Sequence, residues 1–249
     1  FVGSHLVDYL LGKNFEVRCI VRKSSNLQWL EGKDVKIFYC GLFDKEGLRE
    51  AFNGVNYIFH VAGVVKAKNE EGYFRGNVES TKVLLEVAAE MKDHIKKFII
   101  VSSQTVSGPA SKGKPVTEET EPNPLTTYAR SKLKQEQVAL SYKDIFPVTI
   151  CRAPAIFGER DTEIFIYFQV FNRGLTTMIG FNKKELSLLH VADLAEGIYL
   201  AATSEKANGK IYFISSEKFY TWDEVGEITS KVLNKIAFRI RIPHLVVFT

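Results

Sequence analysis

The sequence predicts an α/β protein on a doubly wound parallel sheet, with a smaller lobe towards the C-terminus. Three observations predict it. Short apolar runs alternate with segments of helical period from Phe15 to Cys151. Most of those runs are unbroken instead of alternating, as in strands buried on both faces. The helical segments between them are long enough to carry a crossover between parallel strands.

Taken in order, Phe1–Leu11 reads as an amphipathic helix with Val2, Leu6, Tyr9 and Leu10 on one face, stopped at Gly12 with Lys13-Asn14 beyond. Phe15–Val21 follows as a strand, Phe15, Val17 and Cys19 alternating with Glu16 and Arg18. Val35–Tyr39, Tyr57–His60, Phe98–Val101 and Val148–Cys151 read as buried strands, and Lys45–Phe52, Val78–Met91 and Thr127–Tyr142 as helices. Beyond Cys151 the rhythm loosens. A helix is expected at Glu163–Asn172, strands at Leu186–Leu189 and Ile211–Ile214, and helices at Val191–Thr203 and Trp222–Leu233. The first domain is expected over 1–152 with parts of 186–215, and the smaller, substrate-binding lobe mainly over 153–249. No repeat and no Pro/Gly/Ser linker separates them, so the lobes are expected to pack closely. The chain opens inside a helix and closes on the apolar Arg241–Thr249, so it reads as a fragment lacking an N-terminal strand and a C-terminal end.

The 249 residues are 45% hydrophobic and 25% charged, and 17 Gly with 7 Pro are too few for a fibrous or linker-rich chain. The net charge of +4 is spread along the chain, which disfavours nucleic acid and anionic membrane as partners. No apolar stretch approaches the ~20 residues that span a bilayer, and no basic-then-apolar leader opens the chain. Cys19, Cys40 and Cys151 sit in apolar runs, where thiols serve as small buried hydrophobes, so a reducing, cytoplasmic compartment is expected. The five histidines lack metal-ligand spacing, and no metal site is expected. Lys112-Gly113-Lys114 and Lys183-Lys184 read as solvated loop charge.

Chemistry concentrates at Tyr128-Ala129-Arg130-Ser131-Lys132, where a phenol and an ammonium lie one helical turn apart. A tyrosine working near neutral pH must come down by roughly three pKa units, about 4 kcal/mol, and a nearby ammonium is expected to help supply that. Spacing alone decides nothing, because Tyr9 and Lys13 repeat it; that copy reads as chance. Context separates the two. Phe98–Ser103 ends a strand, and strand ends of such sheets face the ligand crevice, giving Tyr128 a hydroxyl partner within reach.

The order of Ser102-Ser103-Gln104-Thr105-Val106-Ser107-Gly108, then Tyr128-x-x-x-Lys132, then Cys151-Arg152-Ala153-Pro154-Ala155-Ile156-Phe157-Gly158 resembles the extended short-chain dehydrogenase/reductases, also called the NAD-dependent epimerase/dehydratase family. Further matches are Phe1-Val2-Gly3 as the tail of that family's G-x-x-G-x-x-G, His60-Val61-Ala62-Gly63, Asn77-Val78-Glu79-Ser80-Thr81 and Leu189-His190-Val191-Ala192-Asp193-Leu194. The pattern is closest to the dehydrogenase and reductase members. The resemblance implies a Rossmann-type dinucleotide-binding domain and a triad of Ser103, Tyr128 and Lys132. Tyr128 exchanges a proton with the substrate oxygen, Ser103 holds that oxygen, and Lys132 binds ribose and tunes Tyr128. It also implies pyrophosphate at the Phe1 and Val2 N–H groups, Gly3 as a close helix–strand approach, Ala62 and Gly63 beside adenosine, and Pro154, Ala155 and Ile156 beside nicotinamide. Asn77 belongs to the implied cofactor set, although an N-cap role alone would also explain it. A homodimer is implied in the same way. His190 and Asp193 read as structural, Asp193 suiting the first turn of its helix.

Val21-Arg22-Lys23-Ser24-Ser25 has no acid where one would bind the ribose 2′-OH, so Arg22 and Ser24 or Ser25 favour NADP, with NAD still open. Three departures from the family pattern stand out. Cys40-Gly41-Leu42 replaces an acid near adenine. Ser107 stands where many sugar-nucleotide members carry tyrosine. Gln104 and Thr105 replace the acid–base pair of sugar 4,6-dehydratases. The expected function is an oxidoreductase on a secondary alcohol or ketone of a small molecule. The alternatives are a nucleotide-sugar epimerase using the same triad, and a non-catalytic NADP-binding sensor, against which the intact triad argues.

Overall fold

The computed structural model describes residues 1–111, 114–179 and 185–242. Lys112, Gly113, Lys183, Lys184 and residues 243–249 of the apolar end lie outside them. In chain order the elements are α1 (Val2–Gly12), β1 (Val17–Val21), β2 (Val35–Tyr39), α2 (Lys45–Phe52), β3 (Tyr57–His60), α3 (Glu70–Phe74), a π-helical turn at Arg75–Glu79 and α4 (Ser80–Glu90). Then come β4 (Lys97–Ser103), a 3₁₀ turn at Gln104–Ser107, α5 (Thr127–Leu140), β5 (Val148–Ala153), β6 (Ala155–Phe157), α6 (Phe165–Asn172) and β7 (Leu175–Ile179). The chain continues through β8 (Glu185–His190), α7 (Val191–Thr203), β9 (Ile211–Phe213), β10 (Phe219–Thr221), α8 (Trp222–Leu233) and β11 (Phe238–Ile242).

The chain divides into two units, one of residues 2–154 and 192–214, the other of residues 155–191 and 215–249 with Phe1. In the larger unit β3-β4-β5-β9 form a parallel sheet and β1-β2 a second parallel pair. Every residue of β5, and all of β4 except Ser103, is buried, which is what continuous apolar runs require of strands covered on both faces. Leu48, Leu85, Val87, Ala88, Phe98, Ile100 and Ile150 make the floor of one core. The β4–β5 register sets Ser102 opposite Arg152 and Ser103 opposite Ala153, delivering the strand ends to one place. In the smaller unit β8 runs between β6 and β10, β7 pairs with β11, and α8 opens on a capping box between Thr221 and Glu224.

α1 stops at Gly12 as expected, its end closed by Asn14 in the left-handed region at φ 61°, with Phe15 N donating to Leu10 O and Asn14 N to Leu11 O. One local expectation changes. The helix expected from Val78 starts at Glu70 and passes through the π turn at Arg75–Glu79. Gly72, Gly76 and Asn77 are poor helix formers and hid this stretch. Asn77 is therefore inside a helical run and does not cap it. No helix among the described residues is long and apolar enough to cross a membrane.

Leu85 is 0% exposed, whereas Val232 on α8 is 77% exposed. Leu85→Ala is expected to lower the unfolding free energy by about 2–5 kcal/mol, and Val232→Ala to change it by less than about 0.5 kcal/mol, as read by urea denaturation.

Candidate active site

Thr126 caps α5, its hydroxyl accepting from Ala129 N at 3.1 Å, and so fixes Tyr128 in the first turn. Tyr128, Lys132 and Glu136 then recur at every fourth position along one helix face. Ser103 lies at the end of β4, where its Oγ accepts from Thr105 Oγ1 at 2.9 Å and Thr105 N at 3.3 Å. Its own proton is left for another acceptor, and its hydroxyl favours the ionised form of the Tyr128 phenol. Tyr73 on α3 packs against the Tyr128 ring, centroids 6.4 Å apart.

The electrostatics differ from expectation at one point. Burial pushes the Tyr128 phenol up from its ordinary pKa, and the Ser103 hydroxyl only opposes that rise. Lys132 was expected to pull it down, but its ammonium donates to Val101 O at 2.9 Å and to Gln135 Oε1. Lys132 is itself 3% exposed, and burial brings it to about 8 against the raising effect of Glu136.

Glu136 is held by a buried network. Oε1 accepts from Ser102 Oγ at 2.6 Å and Arg152 Nε at 2.9 Å, and Oε2 accepts from Arg152 Nη2 at 2.7 Å. Arg152 Nη1 donates to Ser107 Oγ at 3.0 Å, which gives the departure at Ser107 a structural use. Asn77 is fully buried, and its side chain closes on Val64: Oδ1 accepts from Val64 N at 2.7 Å, while Nδ2 donates to Val64 O at 3.0 Å and Ser131 Oγ at 2.9 Å. Asn77 thus clamps the loop after β3.

That loop carries Ala62 and Gly63, both exposed. A Cβ on Gly63 would lie 3.3 Å from Asn77 Oδ1 and 3.8 Å from Lys132 Nζ, so the glycine keeps open a cradle beside the ammonium. This cradle and the unspent donor of Lys132 fit a ribose. Val2 and Gly3 form the first turn of α1, and a Cβ on Gly3 would meet no atom within 4 Å. Arg22 and Ser24 are exposed just after β1, in a turn where Arg22 N donates to Ser25 Oγ at 3.1 Å. Pro154 follows β5; Phe1, Ala155 and Ile156 belong to the smaller unit. In that unit His190 pairs with Glu159 at 3.4 Å and meets the Phe157 ring edge-on. The second Tyr–Lys pair is a surface contact, Lys13 Nζ standing 5.4 Å from the Tyr9 ring centroid and 5.8 Å from that of Tyr199. Among the described residues no cluster of three His, Cys, Asp or Glu side chains is placed to hold a metal ion.

Residues 1–215 match the sequence model of the NAD dependent epimerase/dehydratase family. The chain belongs to that family. Among relatives of this epimerase/dehydratase chain, the uncharacterized protein y4nL of Sinorhizobium fredii is 27% identical over 91% of it, and the chain spans 65% of that protein's length. Human sterol-4-alpha-carboxylate 3-dehydrogenase, decarboxylating, is 28% identical over 99% of the chain and 68% of its own length. UDP-glucuronic acid 4-epimerase from Bacillus cereus, solved with UDP-glucuronic acid and NAD, shares the fold with a TM-score of 0.86 at 22% identity, covering 98% of this chain and 83% of that one.

Sequence reasoning missed Gln135, Thr81 and the buried role of His60, because a polar residue inside a helix announces itself only through what it touches. Burial and Lys132 push the His60 imidazole down to about 3 from 6.5. The unfolded chain takes up this proton below about pH 6.5 and the folded one only near 3, so stability is lost as pH falls through that window. Wild type is expected to lose on the order of 2 kcal/mol more than His60→Gln between about pH 7 and 4.5, read by denaturant titration at both pH values.

Proposed function

We propose that the protein is an NADP-dependent oxidoreductase that interconverts a secondary alcohol and a ketone on a small organic substrate, with Tyr128 as the acid and base. The observation that carries this reading is Lys132 buried one helical turn from Tyr128 and bordering the open cradle at Gly63, with the Ser103 hydroxyl acting on the same phenol. A ketone oxygen beside Ser103 receives that hydroxyl's proton as a hydrogen bond, since Thr105 already occupies Ser103 as an acceptor. In the reducing direction Tyr128 gives its phenolic proton to the same oxygen, and in the oxidising direction takes it back. When bound, the nicotinamide supplies or accepts the hydride, so that hydride and proton together add across the carbonyl. Lys132, with an N–H to spare beside Gly63, holds the ribose hydroxyls and biases Tyr128. The first turn of α1 at Val2 and Gly3, the loop at Ala62 and Gly63, and Pro154 complete the cofactor's protein contacts in this unit.

Net oxidation or reduction is also the chemistry named in the human relative, a dehydrogenase. A screen of NADPH and NADP⁺ against ketones, secondary alcohols and nucleotide sugars tests the reading through absorbance of the reduced ring. Cofactor turnover matching substrate loss supports it; a sugar stereoisomer formed without net cofactor change replaces it with an epimerase. Tyr128→Phe is expected to lower turnover by about 10²–10⁴-fold with cofactor binding little changed. Tyr9→Phe is expected to be kinetically silent, and equal effects of the two would overturn the assignment.

The NADP preference rests on Arg22, exposed immediately after β1 with no acid in the turn. A charge-assisted contact to a 2′-phosphate is worth ~1.5–3 kcal/mol, or roughly tenfold to a hundredfold in affinity. Arg22→Ala is expected to weaken NADPH by that factor, less at high salt, and to leave NADH nearly untouched. Fluorescence titration of both cofactors reads this, and tighter wild-type binding of NADH reverses the preference.

A further inference from the structure

Gln135 lies three residues beyond Lys132 on α5 and is 0% exposed. Its orientation is dictated from behind. Thr81 Oγ1 has one proton and donates it to Asn77 O at 2.6 Å, so towards Gln135 Nε2 at 2.7 Å and His60 Nε2 at 2.8 Å it can only accept. The amide must then give its NH₂ to Thr81 and its oxygen to Lys132, and His60 must carry its proton on Nε2. Lys132 thereby has two fixed acceptors, Val101 O from the strand and Gln135 Oε1 from its own helix.

We propose that Gln135 is a positioning residue for Lys132, anchoring its ammonium so that the remaining N–H is offered on the side left open by Gly63. The inference rests on Lys132 taking part in the reaction as proposed above. A lysine has a flexible four-carbon stem and keeps no fixed direction without such partners. An amide suits the task because it supplies a dipole without a charge. The charged and titratable groups around Lys132 are Glu136 and Tyr128 on α5, His60 on β3, and Arg152 on β5 through Glu136. Gln135 adds a neutral acceptor to that set, favouring the protonated lysine while letting it titrate near 8.

The test follows the Lys132 side chain by ¹⁵N and ¹³C NMR titration in wild type, Gln135→Leu, Gln135→Glu and Thr81→Val, alongside the pH dependence of kcat/KM. The Lys132 midpoint is expected to fall by about one unit in Gln135→Leu, where a desolvated ammonium loses its acceptor, and to rise by about as much in Gln135→Glu. Thr81→Val, which frees the amide to turn, is expected to lower it by less. The alkaline limb of kcat/KM is expected to move with the midpoint in each case. Should Gln135→Leu fail to fold, the opposite shifts of Gln135→Glu and Thr81→Val carry the test. Unmoved midpoints in folded variants overturn the proposal. A moved midpoint with an unmoved alkaline limb supports the coupling and overturns the part given to Lys132 in the reaction.

Discussion

The buried Glu136–Arg152 ion pair is the constraint on which the site depends. Both side chains are almost wholly removed from water, and each ion would cost several kcal/mol to bury alone. The cost is offset because both carboxylate oxygens and the guanidinium are satisfied, by each other, by Ser102 and by Ser107. Such a pair adds little net stability, yet loss of either partner strands a buried charge, at about 3–5 kcal/mol. Its effect is therefore geometric. Arg152 comes from β5 and Ser102 from its register partner on β4, so Glu136 is fixed relative to both strands. With Glu136 fixed, Lys132 and Tyr128 follow at one and two turns along α5, and Ser103 is the next residue of β4. One ion pair thus sets the register between the helix and the strand that carry the proposed triad.

The same pair shapes the electrostatics. Burial disfavours the Lys132 ammonium, and the Glu136 carboxylate one turn away restores part of what burial removes. His60, buried on the other side of Thr81, stays neutral and adds no repulsion. The phenol is a different case: its environment raises it, and the Ser103 hydroxyl alone does not reverse that. In the proposed reaction the remaining bias on Tyr128 would come from the positive charge of an oxidised cofactor ring and from the Lys132 ammonium that Val101 and Gln135 hold one turn away. The protein alone holds the acid in its protonated form, which is the form needed to begin a reduction.

Much of this was legible in the sequence. α7 and α8 have the boundaries predicted for them, and β4 and β5 fall where apolar runs placed them, because burial on both faces leaves no other pattern. Ser103, Tyr128 and Lys132 were legible because strand-end and helix-face positions can be counted along the chain. The short strands β6, β7 and β10 were not, since three to five residues are too few to establish a period; β11 was missed although Phe238-Arg239-Ile240-Arg241-Ile242 alternates. The helical stretch from Glu70 to Asn77 that precedes the expected helix was not legible either. A π turn inserts one residue and shifts the phase of the apolar stripe, so that segments on either side look unrelated. Its cost is met at Asn77, whose amide repeats a strand-like double contact with Val64 and pins the loop that the proposed cofactor site needs.

The two Tyr-x-x-x-Lys pairs show where sequence stops and structure decides. Both sit on helices and both put an ammonium one turn from a phenol ring. Lys13 is exposed and rests over the Tyr9 and Tyr199 rings, where water screens its charge and the contact serves the end of α1. Lys132 is buried, held by Val101 and Gln135, and its charge acts in a low dielectric, where it counts for several times more. The difference does not lie in the motif. It lies in Glu136, Gln135 and Ser131, the residues after the tyrosine that hold α5 to Arg152, Thr81 and Asn77 and turn an ordinary helix face into a dry one.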